Sequence, residues 1–338
     1  MNKQLSYPLP KDFKVDFDDL RVVADGLVRP ECVLALSNGK IVAANGGGGY
    51  SVIDVDGGVR HVVASKGAGR KFLPNGIALA QGGRILFADL GAEVGGIFEI
   101  DAEGSIKPIV CEVGGETLPP SNFVVNDSDG RLWFTISTRR RPRTDAWNHD
   151  VADGYIGVVD ADGVRIVADG IGYTNEIAFS PDGRWLYVNE TYNQKTSRYP
   201  LLGGARLGAK ELVCSYDGAD IPDGLAFDAY GGAWITCIAS NRLIVLRPDG
   251  EQQVVLEDTD KAHTAVVAEK LRSKTLSLAD MGTAGHSRLH NISSLAFGGP
   301  SLTTAYLGCL LGTTIRSFES PVPGLVPAHW NLDVLDTA

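Results

Sequence analysis

The chain has 338 residues, which is enough for two ordinary domains or for one large all-β domain. Its formal net charge is −10, so the field of the whole molecule repels a phosphate backbone and we expect no nucleic-acid partner. The polar, proline-interrupted N-terminus lacks the apolar core of a signal peptide, and no later stretch is long and apolar enough for a membrane span. These features predict a cytoplasmic protein without a membrane partner.

The cysteines do not indicate a disulfide framework or a metal cluster. They are five in number, widely scattered, and form neither a CxxC pair nor a group with histidines. We expect them to be reduced and to lie mostly in strands. They are Cys32, Cys111, Cys214, Cys237 and Cys309.

One pattern recurs along the chain: an apolar strand, an Asp-Gly-type turn and a second apolar strand. Successive copies are 44, 47, 53, 48 and 70 residues apart, and the first four distances fit the four short strands of a propeller blade. Later hairpins with similar turns supply the outer strands. The fold predicted is an all-β, six-bladed β-propeller with a central metal site, a single domain over residues 1–338 with a short extension over about residues 1–18. Its repeats begin at Glu31, Asn75, Asn122, Asn175, Asp223 and, in a weaker copy, Ser293.

Closing the ring and covering it require further segments. Residues 20–26 are predicted to complete the last blade, because closure commonly combines strands from both chain ends. Two insertions, at residues 137–154 and 258–290, are predicted to cover one end of the central pocket. Within the second, residues 263–273 are predicted to form a short helix.

The first residues of the repeats are all polar and occupy one equivalent position. Inner strands of a propeller begin at the same end of the channel, so these side chains are expected to converge there. Carboxylate and amide oxygens suit a hard cation such as Ca²⁺, Mg²⁺ or Mn²⁺, whereas Zn²⁺ is less favoured without His or Cys ligands. Taken singly, each Asn, Asp or Ser is also explained as a turn residue. Glu31 is no turn former, and six polar residues in register favour a site.

Five motifs carry a resemblance over nearly the whole chain. They are RPECVLA, PSNFVVNDSDGRLWFT, YTNEIAFSPDGRWLYVNET, IPDGLAFDAYGGAWI and AFGGPSLTTAYLG. In their order and spacing the chain resembles the senescence marker protein/gluconolactonase family of regucalcin-like lactonases, and more distantly diisopropylfluorophosphatase. Two departures stand out. The family's usual PND in the third blade is PSNF here, and the usual Asn of the last motif is replaced by Ser-Ser.

The resemblance implies a divalent metal held by Glu31, Asn175 and Asp223, with Ca²⁺ favoured. It implies that Asn122 lies beside the metal or binds substrate, and that a lactone is hydrolysed by metal-activated water. We expect Asp223 to be both ligand and general base, because a carboxylate beside a cation stays ionised within reach of the attacking water. The two departures predict a substrate preference that differs from the family's sugar lactones.

Further residues are weaker candidates for contacting substrate. Asn75, Glu190, His286 and Ser293 are predicted to bind it, together with Asn122. Trp147, His149 and Tyr192 lie near the same rim, as do His263 and His290, although a single histidine is more often a surface or packing residue. The run Arg139, Arg140, Arg141 and Arg143 could hold an anionic substrate, and a solvated loop is the simpler interpretation.

Alternatives to lactone hydrolysis remain at this stage. The propeller could bind a metal without catalysis, or use the same pocket for phosphotriester hydrolysis or for an isomerase or lyase reaction of a carbonyl compound. A serine esterase or a zincin has no support, because neither GxSxG nor HExxH is present. The sequence does not indicate an oligomeric state.

Overall fold

The fold is a six-bladed β-propeller, as the repeat predicts. The computed structural model describes residues 7–65, 69–282 and 287–334. Within these ranges the strands form six four-stranded antiparallel sheets and one two-stranded ribbon. The sheets are consecutive along the chain, and the first strand of each lies innermost.

The elements follow the chain in blade order. Blade one contains β2 Val33–Ala35, β3 Ile41–Asn45, β4 Gly49–Ile53 and β5 Val59–Val63. Blade two contains β6 Pro74–Leu79, β7 Ile85–Asp89, β8 Gly96–Ile100 and β9 Ile106–Val110. After the ribbon of β10 Glu112–Val113 and β11 Glu116–Thr117, blade three contains β12 Ser121–Asn126, β13 Leu132–Ile136, β14 Gly154–Asp160 and β15 Gly163–Ile171. Blade four contains β16 Thr174–Phe179, β17 Trp185–Glu190, β18 Lys195–Pro200 and β19 Glu211–Ser215. Blade five contains β20 Pro222–Phe227, β21 Ala233–Cys237, β22 Arg242–Leu246 and β23 Gln252–Glu257. After helices α1 Lys261–Arg272 and α2 Leu278–Met281, blade six contains β24 Ile292–Gly298, β25 Thr304–Cys309, β26 Ile315–Glu319 and the N-terminal β1 Arg21–Ala24.

The predicted closure is confirmed. Strand β1 pairs antiparallel with β26, with Arg21 opposite Ser317, so the last blade takes strands from both ends of the described chain. This pairing leaves the ring without a gap between the first and last blades. The predicted helix is also confirmed as α1, which the carboxylate of Asp260 caps by accepting from the backbone N–H groups of Ala262 and His263.

In the third and fifth blades, an Asp carboxylate binds both the turn that follows it and a buried tryptophan. We call this arrangement a carboxylate clamp. Asp127 accepts hydrogen bonds from two backbone N–H groups of its turn and from Nε1 of Trp133, the last at 2.8 Å. Asp228 does the same in the fifth blade, with Nε1 of Trp234 at 2.9 Å. Each clamp therefore satisfies the N–H of a fully buried indole and fixes the turn between the inner two strands.

A bulge at the start of five of the six inner strands changes the direction of the polar residue there. Strands β6, β12, β16, β20 and β24 all shift register where the predicted site residue stands. Such a bulge turns a side chain out of the strict in-and-out alternation of a strand. The residues at these shifts are Asn75, Asn122, Asn175, Asp223 and Ser293.

Glycines directly after two of these residues let neighbouring blades approach closely. A Cβ at Gly76 would lie 2.7 Å from Cα of Phe123, and a Cβ at Gly224 would lie 2.4 Å from the backbone oxygen of Ser293. Larger residues would therefore push apart the inner strands that carry the site.

The two insertions cover the end of the channel at which the inner strands begin. Trp147 from the first insertion packs in one apolar cluster with Val267 and Leu271 of α1 and Met281 of α2. The prediction that both insertions cover one end of the pocket is confirmed. All five cysteines are free, also as predicted. Each helix in the described part of the chain is too short and too polar to cross a membrane.

Candidate active site

A cavity of about 150 Å³ lies where the inner strands begin, and we call it the polar cavity. Five of the six predicted repeat residues line it, although they come from five different blades. Four of them lie on inner strands and Glu31 lies two residues before β2, so the ring itself sets their relative positions. They are Glu31, Asn75, Asn122, Asn175 and Asp223.

Three oxygens of this group are buried without a hydrogen-bond partner in the described structure. They are Oε2 of Glu31, Oδ1 of Asn122 and Oδ1 of Asn175. Unpartnered buried oxygens are costly, so several of them facing one cavity indicate that a bound species completes their interactions.

Hydrogen bonds hold the two carboxylates in place. Nδ2 of Asn175 donates to Oδ1 of Asp223 and also, at 2.9 Å, to Oγ1 of Thr191. Nδ2 of Asn75 donates to Oε1 of Glu31 at 2.9 Å. Each carboxylate therefore has one oxygen fixed by an Asn side chain. Its second oxygen accepts no hydrogen bond from that Asn.

Burial raises the pKa of both carboxyl groups. For Glu31, loss of hydration is the main cause, and the nearby Arg29 opposes it. For Asp223, burial is again the largest effect, opposed by the Asn175 hydrogen bond and by Arg29 and Arg143. Arg29 and Arg143 therefore lower these pKa values by less than burial raises them, because the loss of hydration is the larger effect.

Arg29 is a site residue that the sequence interpretation missed. Its backbone is left-handed, with φ of +48°, and its carbonyl accepts from the N–H of Glu31 at 2.8 Å. Its guanidinium lines the polar cavity and donates to the backbone oxygen of Pro74 at 3.2 Å and to Oδ1 of Asn75 at 2.7 Å. The sequence offers one indication of this role, because Arg29 stands two positions before the predicted ligand Glu31 in the RPEC motif.

The predicted arginine run separates into two groups. Arg139 forms a bidentate pair with Asp169, Nε of Arg140 lies 3.3 Å from Asp153, and Arg141 donates to the backbone oxygen of Thr117. These three side chains have partners outside the polar cavity. Arg143 alone of the run lines the cavity.

Aromatic and aliphatic side chains form the remaining wall. Trp147 stacks on Tyr192 with ring centroids 4.8 Å apart, and Tyr173 meets Tyr192 edge-on at 4.6 Å. All three rings line the cavity, as do Leu278 and Met281 among others. Nε1 of Trp147 is buried and has no hydrogen-bond partner in the described structure, so it is a donor available to a ligand.

Two predicted substrate contacts, Glu190 and Ser293, are not brought into the cavity. Glu190 accepts from the N–H of Gly172 and from Oγ of Ser197, and it faces the interior of its own blade. Ser293 is fully buried, and its Oγ donates to the backbone oxygen of Glu31 at 2.8 Å, so it fixes the chain beside the site. His286 lies outside the described residues.

Asn75 lines the cavity, but the protein itself uses its amide. Oδ1 accepts from Arg29, and Nδ2 donates both to Glu31 and to the backbone oxygen of Asn122. This geometry makes Asn75 a positioning residue for its neighbours. The prediction that it binds substrate is not tested by these contacts.

The residues present fit a hard divalent cation. Within the described ranges, no three His, Cys, Asp or Glu side chains cluster as metal ligands. The polar cavity instead combines two carboxylates with the free amide oxygens of Asn122 and Asn175. An oxygen-only set of this kind suits Ca²⁺ or Mg²⁺, whereas Zn²⁺ prefers nitrogen and sulfur ligands.

Comparison with known proteins connects this site to one family. Residues 22–268 match the family model described as SMP-30/Gluconolactonase/LRE-like region. A stretch of 161 residues, 46% of this chain, is 32% identical to 6-deoxy-6-sulfogluconolactonase of Pseudomonas putida. That alignment spans 52% of the relative, so the two proteins are matched over about half their lengths.

Solved structures show the same fold. The gluconolactonase XC5397 of Xanthomonas campestris is 19% identical, with a TM-score of 0.65 over 90% of this chain and 89% of that one. A calcium-binding protein, regucalcin, of Agrobacterium tumefaciens is 18% identical, with a TM-score of 0.65 over 91% of this chain and 95% of that one. At these identities the likeness establishes the propeller fold.

Proposed function

Because the chain belongs to the SMP-30/gluconolactonase/LRE-like family, we propose that it hydrolyses a small lactone in the polar cavity with the help of one divalent cation. The observation that carries the proposal is the set of three unpartnered buried oxygens, on Glu31, Asn122 and Asn175, that line one cavity with Asp223. Two sources support the reaction class: the family membership and a relative that is named a lactonase.

Glu31, Asn175 and Asp223 would hold the cation, and Asn122 would bind either the cation or a substrate oxygen. The hard oxygen donors and a structural neighbour described as calcium-binding favour Ca²⁺. When bound, a divalent cation supplies Lewis-acid polarisation of the lactone carbonyl and stabilises the negative charge that develops on its oxygen.

Asp223 would act as the general base. A carboxylate held beside a cation stays ionised at neutral pH, so it can accept a proton from the attacking water. Asn175 Nδ2 engages one carboxylate oxygen, which leaves the other for the proton of the attacking water. The water oxygen bonds to the carbonyl carbon, Asp223 accepts the proton, the ring C–O bond breaks, and the ring oxygen takes up a proton. The product is the open hydroxy acid.

The apolar wall would position the substrate and limit bulk water. Trp147, Tyr173 and Tyr192 form a packed aromatic group on one side of the cavity. Such a wall strengthens electrostatic interactions inside the site, because it lowers the local dielectric constant.

A metal-reconstitution assay tests the proposal. Protein stripped with a chelator is supplied separately with Ca²⁺, Mg²⁺, Mn²⁺ and Zn²⁺, and acid release from aldonolactones, aliphatic lactones and aromatic lactones is followed. We expect turnover that depends on the added cation, and Asp223→Asn is expected to lower kcat by about 10³-fold.

Circular dichroism before and after chelation serves as the control for folding. Full turnover by Asp223→Asn, or by folded stripped protein, would contradict the mechanism. A protein that binds a cation but hydrolyses no lactone and no phosphotriester would instead be a non-catalytic metal-binding propeller.

A further inference from the structure

With the proposed cation bound, the polar cavity would carry more positive charge than a neutral lactone requires, and we propose that Arg143 and Arg29 form a subsite for an anionic group on the substrate. The inference rests on the proposed function for the lactone part of the molecule. It adds that the substrate carries a carboxylate or sulfonate substituent besides the ring ester.

The charge balance of the cavity is the first argument. Among the described residues that line it, Glu31 and Asp223 supply two negative formal charges and Arg29 and Arg143 supply two positive ones, so these charges cancel. A divalent cation then leaves an excess of two positive charges. In a half-buried, low-dielectric site such an excess is unfavourable unless a ligand brings negative charge.

The second argument is that Arg143 has no other task in the described structure. It begins the short 3-10 helix Arg143–Ala146 and is half-buried, yet it forms no hydrogen bond or ion pair with the described residues. Arg139 and Arg140, in the same loop, are each paired with an Asp. Arg141 donates to the backbone oxygen of Thr117. Arg143 is therefore the member of this run without a hydrogen-bond or ion-pair partner among the described residues, and it faces the cavity.

Arg29 provides the second positive charge of the subsite. Its backbone conformation is strained, and hydrogen bonds hold its guanidinium in place. A left-handed backbone costs a non-glycine residue free energy, and such residues concentrate at functional sites. Its guanidinium uses two N–H groups for Pro74 and Asn75 and has five in total. Arg29 and Arg143 line the same cavity, and the positive charge of Arg143 helps to lower the pKa of Arg29.

Two arginines and one indole donor together make a recognition site for an oxyanion. Guanidinium groups bind carboxylate and sulfonate oxygens through short, charge-assisted hydrogen bonds. Nε1 of Trp147 lines the same cavity, is buried, and has no partner in the described structure. Trp147 is packed in the apolar cluster that includes Val267 and Met281, and hydrogen bonds fix the Arg29 guanidinium, so two of these donors are held in place before a ligand binds.

A matched pair of substrates tests the subsite. The pair is an aldarolactone and the aldonolactone of the same ring and configuration, which differ by a carboxylate in place of a hydroxymethyl group. We expect the wild-type protein to favour the anionic lactone in kcat/KM by about tenfold or more. Arg143→Gln is expected to lower kcat/KM for the anionic lactone by about 10- to 100-fold and for the neutral lactone by less than about threefold.

Arg140→Gln is the matched control, because Arg140 lies in the same loop and pairs outside the cavity. It is expected to leave both substrates unchanged. A wild-type preference for the neutral lactone, or equal losses on both lactones in Arg143→Gln, would overturn the proposal.

A binding measurement separates failure of the subsite from failure of the proposed function. Calorimetry compares tetrahydrofuran-2-carboxylate with tetrahydrofurfuryl alcohol, neither of which has an ester to hydrolyse. If no lactone is turned over, binding of the carboxylate alone, and its loss in Arg143→Gln, still supports the anion subsite. Equal binding of both probes, binding of neither, or unchanged binding in the variant contradicts it.

Discussion

The same six inner strands form both ends of the central channel, and the two ends differ in size and chemistry. Where the strands begin, the polar cavity measures about 150 Å³ and contains two carboxylates and two arginines. Farther along the strands an apolar cavity of about 630 Å³ is lined largely by Val, Ile, Leu, Phe and Ala side chains and by residues 325–329. The smaller cavity is the candidate site, so size alone does not identify it.

The difference lies in how many buried polar groups converge. The apolar cavity contains Glu176, whose Oε2 accepts from the N–H of Leu225 at 2.8 Å and whose Oε1 is unpartnered. Burial raises the pKa of this carboxyl group well above its ordinary range, with the charge of Glu31 adding to the effect. Burial of this lone carboxyl group favours its protonated form, whereas the polar cavity groups two carboxylates with unpartnered amide oxygens, the donor set on which the proposed cation site rests.

Two matched substitutions each remove the charge of one buried glutamate, one at each end of the channel. The largest predicted effect is that of the substitution at the polar end. Glu31→Gln removes a carboxylate of the polar cavity and keeps its shape. It is expected to weaken cation affinity by roughly 100-fold or more, and turnover with it. Titration calorimetry with Ca²⁺ measures the change.

Glu176→Gln is the matched variant at the apolar end. Glutamine resembles the protonated carboxyl group and can still accept from Leu225. We expect cation affinity and kcat/KM within about twofold of wild type, since no cation contact is removed. Equal losses in both variants would show that the two ends are not chemically distinct.

The second prediction concerns pH and cation binding at the polar end. Because burial raises the pKa of Glu31 and Asp223, the cation-free protein keeps protons on them to higher pH than the unfolded chain does. Their contribution to stability is therefore greatest at low pH and is lost as pH rises through the folded pKa values. A cation must displace these protons, so its affinity should increase by about tenfold per pH unit for each proton released.

The melting temperature with and without Ca²⁺, measured between about pH 5 and pH 8, shows this directly. The stabilisation by Ca²⁺ should grow with pH in the wild-type protein and grow less steeply in Glu31→Gln. Stabilisation that is independent of pH would place the bound cation away from these carboxylates.

A third prediction compares two buried tryptophans. Trp147→Phe keeps the stacking on Tyr192 but removes the unpartnered indole N–H of the polar cavity. A lost hydrogen bond to the anionic group of the substrate should lower kcat/KM by about 10- to 100-fold with little change in stability. Trp133→Phe breaks the bond to Asp127 and should instead lower stability by about 1–3 kcal/mol with kcat/KM retained. Steady-state kinetics and urea unfolding distinguish the two outcomes.

The propeller and most of its polar centre could be predicted from the repeat. The Asp-Gly turns set the strand register, and an equivalent position in each copy must face the same end of the ring. Five of six such residues accordingly line the polar cavity, from Glu31 to Asp223. Ser293 is the exception, because its short side chain is engaged with the backbone of Glu31.

The rest depends on conformations that one sequence does not specify. The direction of Arg29 follows from a left-handed backbone, which non-glycine residues seldom adopt. Arg143 differs from Arg139, Arg140 and Arg141 in where the loop points it, and nothing in the RRRPR run distinguishes them. Glu190 was expected at the rim because of its neighbours in sequence, but the pleat of its strand directs it into the blade.

The smallest predicted effect concerns His329 at the apolar end. Burial lowers the pKa of this histidine from 6.5 to about 4, although a hydrogen bond with the backbone of Ala35 opposes the shift. The unfolded chain therefore binds the proton more readily, and the stabilising contribution, present above about pH 6.5, is lost as pH falls toward 4. His329 is partly exposed, so the loss should be about 1 kcal/mol or less.

Urea unfolding of the wild-type protein and His329→Phe at about pH 7 and about pH 5 measures this contribution. The variant should lose less stability on acidification, and its kcat/KM at neutral pH should equal that of the wild type, since His329 lines only the apolar cavity. A fall in kcat/KM for His329→Phe would mean that a change at the apolar end alters the polar cavity through the inner strands. The distinction between a catalytic and a structural end of the channel would then no longer hold.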